Sequence, residues 1–108
     1  MTKTKRINAD LLKAMKTWKE FLPEATLLCF YNEKTKHIVI ELIFIPASKR
    51  RQGICGQMID EVVEIARGHD VEVWLEPNDG FGVSKQTLAS IYKQYGFSWV
   101  DTHWMKTQ

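Results

Sequence analysis

Cysteine is scarce in this sequence. Only two of the 108 residues are cysteines, Cys29 and Cys55, and they form neither a C-x-x-C pair nor a metal-binding cluster with the three histidines. This usage argues against a disulfide-stapled secreted domain and against a cysteine-based metal site. We therefore expect a reduced, cytoplasmic protein that binds no metal.

Net charge and long apolar runs are also lacking. The formal net charge is +2, which is too small to make nucleic acid a main partner. Residues 1–6 are polar or charged and no apolar segment follows them, so no signal peptide is predicted. The longest apolar run, around residues 42–46, is far shorter than the ~20 residues of a membrane-spanning helix, and we expect no membrane partner.

The remaining composition is that of an ordinary globular protein. Hydrophobic residues make up 44% of the chain and charged residues 26%, which excludes a disordered or fibrous class. No internal repeat, low-complexity tract or linker divides the sequence. We therefore predict a single domain spanning residues 1–108.

The first third of the chain predicts a helix followed by a hairpin. Asn8 or Asp10 can cap a helix that runs to about Phe21, where its apolar stripe ends. Residues 26–31 and 37–45 are rich in β-branched and aromatic residues and are separated by a polar turn. We expect these two strands to pair antiparallel.

Helix and strand then alternate to the end of the chain. Helical spacing of apolar residues begins at Gly53, and Gly68 suits the position that follows the helix. A strand at 71–75, a helix at 84–96 and a last strand at 97–106 complete the order α-β-β-α-β-α-β. The strand–helix–strand unit implies parallel strands, so the predicted fold class is α/β (α+β), with three helices and a mixed sheet of four to five strands.

The most informative stretch is the basic loop between the second strand and the helix that begins at Gly53. The first turn of a helix leaves backbone N–H groups unpaired, and the helix dipole there favours negative charge. Gly53 and Gly56 let a phosphate approach the backbone, while Arg50 and Arg51 offer charge and bidentate hydrogen bonds. The segment therefore predicts an anion site.

Simpler explanations of this loop are weaker. The basic triplet at residues 49–51 alone would suggest a solvated loop, but such a loop does not require two glycines at the start of a helix. A Walker loop needs Lys followed by Ser or Thr after its last glycine, whereas Gln57 and Met58 follow Gly56 here. The G-x-G-x-x-G pattern of dinucleotide-binding folds is absent as well.

Two motifs in this arrangement resemble those of the GNAT acetyltransferases. Residues 50–55 match the family's acetyl-CoA signature, Arg/Gln-x-x-Gly-x-Gly/Ala, except that Cys55 stands where glycine or alanine is usual. Residues 91–97 reproduce the helix ending Leu/Ile-Tyr-x-x-x-Gly-Phe, with Tyr92 at the tyrosine position. One helix and one strand separate the two motifs, as in the family. The resemblance covers residues 37–97, and the region before them is abbreviated relative to the family.

The resemblance implies acetyl-CoA as the cofactor, held in a gap between the strand before the loop and the next parallel strand. Backbone groups of the first strand would pair with pantetheine, and N–H groups at the start of the helix would hold the pyrophosphate. Asn78 and Ser84 are candidate contacts for pantetheine. The implied cofactor-binding residues are Ile43, Phe44, Ile45, Arg50, Arg51, Gln52, Gly53, Ile54, Cys55, Gly56, Asn78 and Ser84.

The resemblance also implies how acetyl transfer would occur. The amine must be neutral to attack, and the departing thiolate needs a proton. Glu41 is the candidate base, directly or through water, with Glu76 as a second candidate. Tyr92 matches the tyrosine that protonates the thiolate, and Tyr95 lies one turn later. Glu41 could equally face solvent, and Tyr92 could serve only as a core residue.

Several alternatives stay open at this point. The acceptor is a protein lysine, an N-terminus or a small amine, and no motif selects among them. The alternative function is a catalytically inactive acyl-CoA-binding module, suggested by the short N-terminal region and by Cys55. Trp99 and Trp104 differ in strand parity, so we expect one of them to line a substrate groove or a dimer contact. An unpaired sheet edge would be compatible with a homodimer.

Overall fold

A computed structural model describes residues 2–50, 52–77 and 84–107 of the chain. Three helices and five strands are present there, in the order α-β-β-α-β-α-β-β, with a short 3-10 turn at Ala47–Lys49. The elements are α1 (Lys3–Phe21), β1 (Thr26–Asn32), β2 (His37–Phe44), α2 (Ile54–His69), β3 (Glu72–Leu75), α3 (Lys85–Gln94), β4 (Phe97–Trp99) and β5 (Met105–Thr107). The predicted fold class, with three helices and a mixed sheet, is confirmed.

The start of α1 differs from the prediction. Thr2 caps the helix, and its hydroxyl oxygen accepts a hydrogen bond from the N–H of Lys5 at 3.2 Å. Asn8 and Asp10 lie inside the helix, where their side chains make tertiary contacts. The Asn8 side chain accepts a hydrogen bond from the N–H of Tyr31 at 2.9 Å. Both residue types favour helix caps, so the sequence pattern pointed to the wrong position.

The end of α2 also differs from the prediction. Gly68 lies within the helix, and Asp70 is the cap, in the left-handed conformation with φ of 56°. Asp is one of the few residues other than glycine that adopts this conformation readily. The helix is therefore longer than its glycine suggested.

The predicted last strand is two strands. β4 and β5 form an antiparallel pair joined by a turn, in which the Val100 N–H donates to the Trp104 carbonyl oxygen at 2.8 Å. The Asp101 carboxylate accepts hydrogen bonds from the N–H groups of His103 and Trp104 at 2.7 and 2.8 Å. The turn contains the polar residues Asp101, Thr102 and His103, but the segment has no glycine or proline, and its alternation is compatible with one continuous strand.

The sheet has the strand order β1-β2-β3-β5-β4, and only β2 and β3 are parallel. Their pairing covers His37–Ile40 against Glu72–Leu75, so the last four residues of β2 extend beyond the partner strand. On its other side, β2 carries a bulge. Leu28 pairs with Leu42 and Cys29 with Ile40, which leaves Glu41 as the extra residue. These two irregularities open a gap at the end of β2.

The core lies between one face of the sheet and the helices. β1, β2 and β3 contribute alternate residues to it, and α1 and α2 contribute their apolar stripes. The largest fully buried side chains are Ile7, Leu11, Ile38, Met58, Ile59, Met105, Val62 and Val73. None of the described helices is both long and apolar enough to cross a bilayer.

Candidate functional site

A groove of ≈ 800 Å³ opens where β2 and β3 diverge. Its walls are the second half of β2, the first turn of α2 and one side of α3, and we call it the splay groove. Its lining residues are Phe30, Val39, Ile40, Glu41, Leu42, Ile43, Phe44, Ile45, Lys49, Arg50, Gly53, Ile54, Cys55, Gly56, Leu75, Glu76, Thr87, Leu88, Ile91, Tyr92, Tyr95 and Trp104. The groove therefore brings together residues from both sequence motifs.

One end of the groove can bind an anion. Gly53 caps α2 in the left-handed conformation, with φ of +77°, and the first helical hydrogen bond runs from the Gln57 N–H to the Gly53 carbonyl at 3.0 Å. The N–H groups of residues 54–56 precede that bond, and within the described chain they have no acceptor. Lys49 and Arg50 line the same end of the groove. Unpaired N–H groups, a helix dipole and two cations all favour a bound phosphate.

Arg50 also fixes the loop to the strand. Its Nε–H donates a hydrogen bond to the Ile45 carbonyl oxygen at 2.9 Å, just past the end of β2. The remaining guanidinium nitrogens make no hydrogen bond within the described chain. The side chain therefore holds the basic loop in place and still presents charge to the groove.

Gly56 meets a tyrosine of α3, a contact that sequence reasoning missed. The residue is buried, and a Cβ at this position would lie 2.5 Å from Cζ of Tyr95 and closer still to its hydroxyl. Only a residue without a side chain lets the ring approach α2 this closely. The loop sequence explains both glycines by the approach of a phosphate. Gly56 has this separate packing reason, which no local pattern would have shown.

Tyr92 lies in the wall of the groove with its hydroxyl protonated. Burial, and to a lesser degree the neighbouring Cys55, raise the pKa of Tyr92 well above its usual range. The ring packs on Phe97 with 6.2 Å between centroids, which helps to fix its position. Only 8% of the residue is exposed. Tyr92 is thus a core residue that also lines the groove.

Cys55 has the environment of a packed thiol. It is half-buried in the wall of the groove, and burial raises the pKa of the thiol. A thiol with a raised pKa is mostly protonated near neutral pH and is a poor nucleophile. The residue therefore fills the small position of the motif without adding reactivity.

Two carboxylates line the groove away from the basic loop. Glu41 is the bulged residue of β2, and Glu76 directly follows β3. Both are exposed. Nδ1 of His103 lies 4.0 Å from the Glu76 carboxylate. An ammonium group arriving at this end would meet two acids.

The structure brings most of the predicted site residues to the groove. Its lining includes Glu41, Ile43, Phe44, Ile45, Arg50, Gly53, Ile54, Cys55, Gly56 and Tyr92. Gln52 is exposed outside this lining, with its side-chain amide 3.5 Å from the Ser48 carbonyl. Ser84 caps α3 instead, where its hydroxyl oxygen accepts a hydrogen bond from the Thr87 N–H at 3.2 Å. The predicted contacts Arg51 and Asn78 lie outside the described residues.

Sequence reasoning missed part of the groove wall. The apolar stripe of α3 includes Leu88 and Ile91, and its spacing predicts core positions for both, yet they also line the groove. Their half-buried state has no sequence signal, since a stripe that faces a groove has the same spacing as one that faces a core. The sequence predicts that either Trp99 or Trp104 lines a groove or a dimer contact, and in the structure Trp104 lines the splay groove.

Comparisons with known proteins identify the architecture. No protein-family model and no curated protein matches the sequence. Among solved structures, the chain is similar to the anti-CRISPR protein AcrVA5, with a TM-score of 0.66 and 25% identity over 81% of this chain and 93% of that one.

Two acetyltransferases share the fold at lower identity. Naa50 of Arabidopsis thaliana, in complex with the bisubstrate analogue CoA-Ac-MVNAL, has a TM-score of 0.61 and 15% identity over 78% of this chain and 63% of that one. Nourseothricin acetyltransferase has a TM-score of 0.61 and 18% identity over 77% of this chain and 56% of that one. The likeness is therefore one of architecture, and it agrees with the two motifs described above. The chain therefore has the fold of the GNAT acetyltransferases.

Proposed function

We propose that the chain is an N-acetyltransferase that transfers the acetyl group of acetyl-CoA to a primary amine by direct attack in a ternary complex. One observation carries the proposal: a single groove has an anion-binding helix start near one end, two carboxylates at another, and the protonated hydroxyl of Tyr92 in its wall. Acetyl-CoA carries a pyrophosphate and an activated thioester, and its acceptor arrives as an ammonium ion. The groove matches both partners.

The residues fit acetyl-CoA in the following way. The N–H groups of residues 54–56, with Arg50 and Lys49, would hold the pyrophosphate. The backbone of Ile43 and Ile45 lies beyond the pairing with β3 and would present polar groups to the pantetheine amides. The N–H near Ile45 would polarise the thioester carbonyl. Acetyl-CoA supplies the acetyl group and a thiolate leaving group.

Proton transfers at the two ends of the reaction fall to two side chains. Glu41, directly or through a water molecule, would take a proton from the ammonium so that the amine nitrogen can attack the carbonyl carbon. As the carbon–nitrogen bond forms and the carbon–sulfur bond breaks, Tyr92 would give its proton to the sulfur. The second proton, which the nitrogen loses as it becomes an amide, would pass through water and restore the Tyr92 hydroxyl. Burial raises the pKa of Tyr92, so the hydroxyl carries its proton at neutral pH, as an unperturbed tyrosine also would.

The first test is calorimetric titration of the protein with acetyl-CoA, CoA and ATP. We expect acetyl-CoA and CoA to bind and ATP to bind at least tenfold more weakly. Gly53→Glu places a carboxylate where the pyrophosphate is expected and should abolish binding. Gly53→Ala imposes the same backbone strain at φ of +77° without charge, and should retain most of the affinity. Gly68→Glu, near the other end of α2, controls for the added charge.

Turnover is then measured as CoA release in the presence of a primary amine. Binding of acetyl-CoA without release of CoA for any amine would favour the catalytically inactive acyl-CoA-binding module. Failure of the folded protein to bind either CoA species would refute the acetyltransferase proposal.

A further inference from the structure

The sheet has a second face, opposite the helices. α1 and α2 pack on the face that carries buried residues such as Leu27 and Val73. The strand register aligns Phe30 with Val39, Val39 with Trp74, and Trp74 with Lys106 across four strands. Directly aligned residues point to the same side of a sheet. These four side chains therefore form a row across the second face.

Three of the four side chains in this row are apolar, and the row is partly exposed. Phe30 is 40% exposed, and Leu28, which alternates with it on the edge strand β1, is 44% exposed. Trp74 is half-buried and lies 6.4 Å from Trp104, centroid to centroid. His37 stacks on its ring with 4.4 Å between centroids, and Lys106 Nζ lies 5.8 Å from the ring centroid, so only part of the Trp74 ring is open to a ligand. Lys106 Nζ donates to the Glu72 carboxylate at 2.8 Å, so its charge is paired. The second face thus offers apolar and aromatic surface to a ligand.

The splay groove opens onto this face. Phe30, Val39 and Trp104 belong to its lining, as do Glu41 and Glu76. A molecule lying on the row would therefore have an adjacent passage into the groove with carboxylates beside it. A flexible chain that carries a terminal ammonium could enter that passage from the face.

We propose that the acceptor is a lysine side chain in a polypeptide segment that docks on the second face, with apolar neighbours of the lysine against Phe30 and Trp74. The proposal rests on the acetyltransferase function and specifies its acceptor. The aliphatic stem of lysine packs well along aromatic rings, while its ammonium seeks carboxylates. Here the aromatic rings lie on the second face, and Glu41 and Glu76 lie in the passage that leads from this face into the groove.

The shape of the site favours a polypeptide over a small amine. Sites for small molecules are concave and enclose most of the ligand. Here the described surface beside the passage is a row of side chains that crosses four strands, which spans about 14 Å at the usual strand spacing. Contacts along such a row are available to an extended segment on both sides of its lysine. A free small amine would use only the passage.

The test compares four acceptors under identical conditions. Two peptides have blocked termini and a single lysine, flanked by leucines in one and by serines in the other. The third acceptor is a peptide with a free N-terminus and no lysine, and the fourth is butylamine. We expect kcat/KM for the leucine-flanked peptide to exceed that for each of the others by at least tenfold.

Two matched variants locate the docking surface. Phe30→Ser should reduce the preference for leucine-flanked over serine-flanked peptide to near unity. Phe21→Ser removes an equally apolar ring that is 71% exposed on α1 and does not line the groove, so the preference should remain. Thermal melting and the Kd for acetyl-CoA verify that each variant is folded.

Several results would overturn the docking proposal. Equal kcat/KM for the two lysine peptides, a higher value for butylamine or for the free N-terminus, or the same response in both variants would each do so. Calorimetry of the leucine-flanked peptide with the protein alone separates this proposal from the enzymatic one. Peptide binding that Phe30→Ser weakens would support the surface even if acetyl-CoA were not bound. Absence of peptide binding, with acetyl-CoA bound normally, would refute the docking proposal and leave the acetyltransferase proposal standing.

Discussion

Replacement of Gly56 by alanine should destabilise the protein, although alanine is the better helix former. An added Cβ would overlap the edge of the Tyr95 ring, with Cζ only 2.5 Å away, so the ring or α3 must move. Overpacking of this kind costs about 1–3 kcal/mol, while the gain in helix propensity is at most about 1 kcal/mol. We expect a net loss of about 1–2 kcal/mol, and each kcal/mol lowers Tm by roughly 4–8 °C in a domain of this size.

The same substitution elsewhere on α2 provides the control. Gly68 has no atom within 4 Å of an added Cβ, so Gly68→Ala should stabilise the protein by about 0.5–1 kcal/mol. Both variants are measured by urea and thermal unfolding. The two substitutions should change the free energy of unfolding in opposite directions, and the contact with Tyr95 explains the difference.

A double variant tests whether the ring is the cause. Combining Gly56→Ala with Tyr95→Ala removes the overlap, so the pair should be less destabilised than the sum of the single variants by about 1 kcal/mol or more, which is typical of coupled neighbours. If Gly56→Ala were neutral or stabilising, or if the two substitutions were additive, the packing argument would be wrong.

Three further predictions concern single side chains. Burial and the nearby Glu61 raise the pKa of Cys29 to about 12. The Cys29 thiol therefore stays protonated in the folded protein at pH values where it ionises in the unfolded chain. Its contribution to the free energy of unfolding is complete below about pH 8.5, the unfolded pKa, and is lost as the pH rises toward 12. Cys29→Ala should accordingly make the fall of Tm at alkaline pH less steep. Tyr92→Phe should lower kcat by about 10- to 100-fold with little change in KM for acetyl-CoA, and an unchanged kcat would remove Tyr92 from the mechanism. Trp18 Nε1 donates to Glu61 at 2.7 Å, so Trp18→Phe should cost about 1–2 kcal/mol in urea unfolding, and Glu61→Gln, which keeps an acceptor, should cost less.

Local chemistry explains what the sequence predicted. The apolar spacing of α2 placed Met58, Ile59, Val62 and Ala66 on one face, and these four residues are buried. β-branched residues on either side of a polar turn predicted the β1–β2 hairpin, and the βαβ unit followed from the alternation of elements. Each of these signals comes from single elements and their immediate neighbours in the chain, where nearby side chains decide the local structure.

The anion-binding start of α2 was predictable for the same reason. A strand end, a basic loop and a glycine adjoin one another in the chain, and the unpaired N–H groups follow from helix geometry wherever such a helix begins. The caps and the last strand were predicted less well. Asn8 and Asp10 are suitable caps by residue type, but contacts with distant residues engage them inside α1.

Tertiary structure alone decided the shape of the site. The bulge at Glu41 depends on how β1 and β2 align along their length, and the gap depends on where β3 stops pairing with β2. Gly56 and Tyr95 are far apart in the sequence and meet only because α3 packs on α2. Register and close packing are set by all the elements together, because each pair of contacts is formed against the entropy of the chain between them. Sequence patterns predict the individual helices and strands. The groove forms where β2 extends beyond its pairing with β3, and this depends on how the elements are arranged relative to one another.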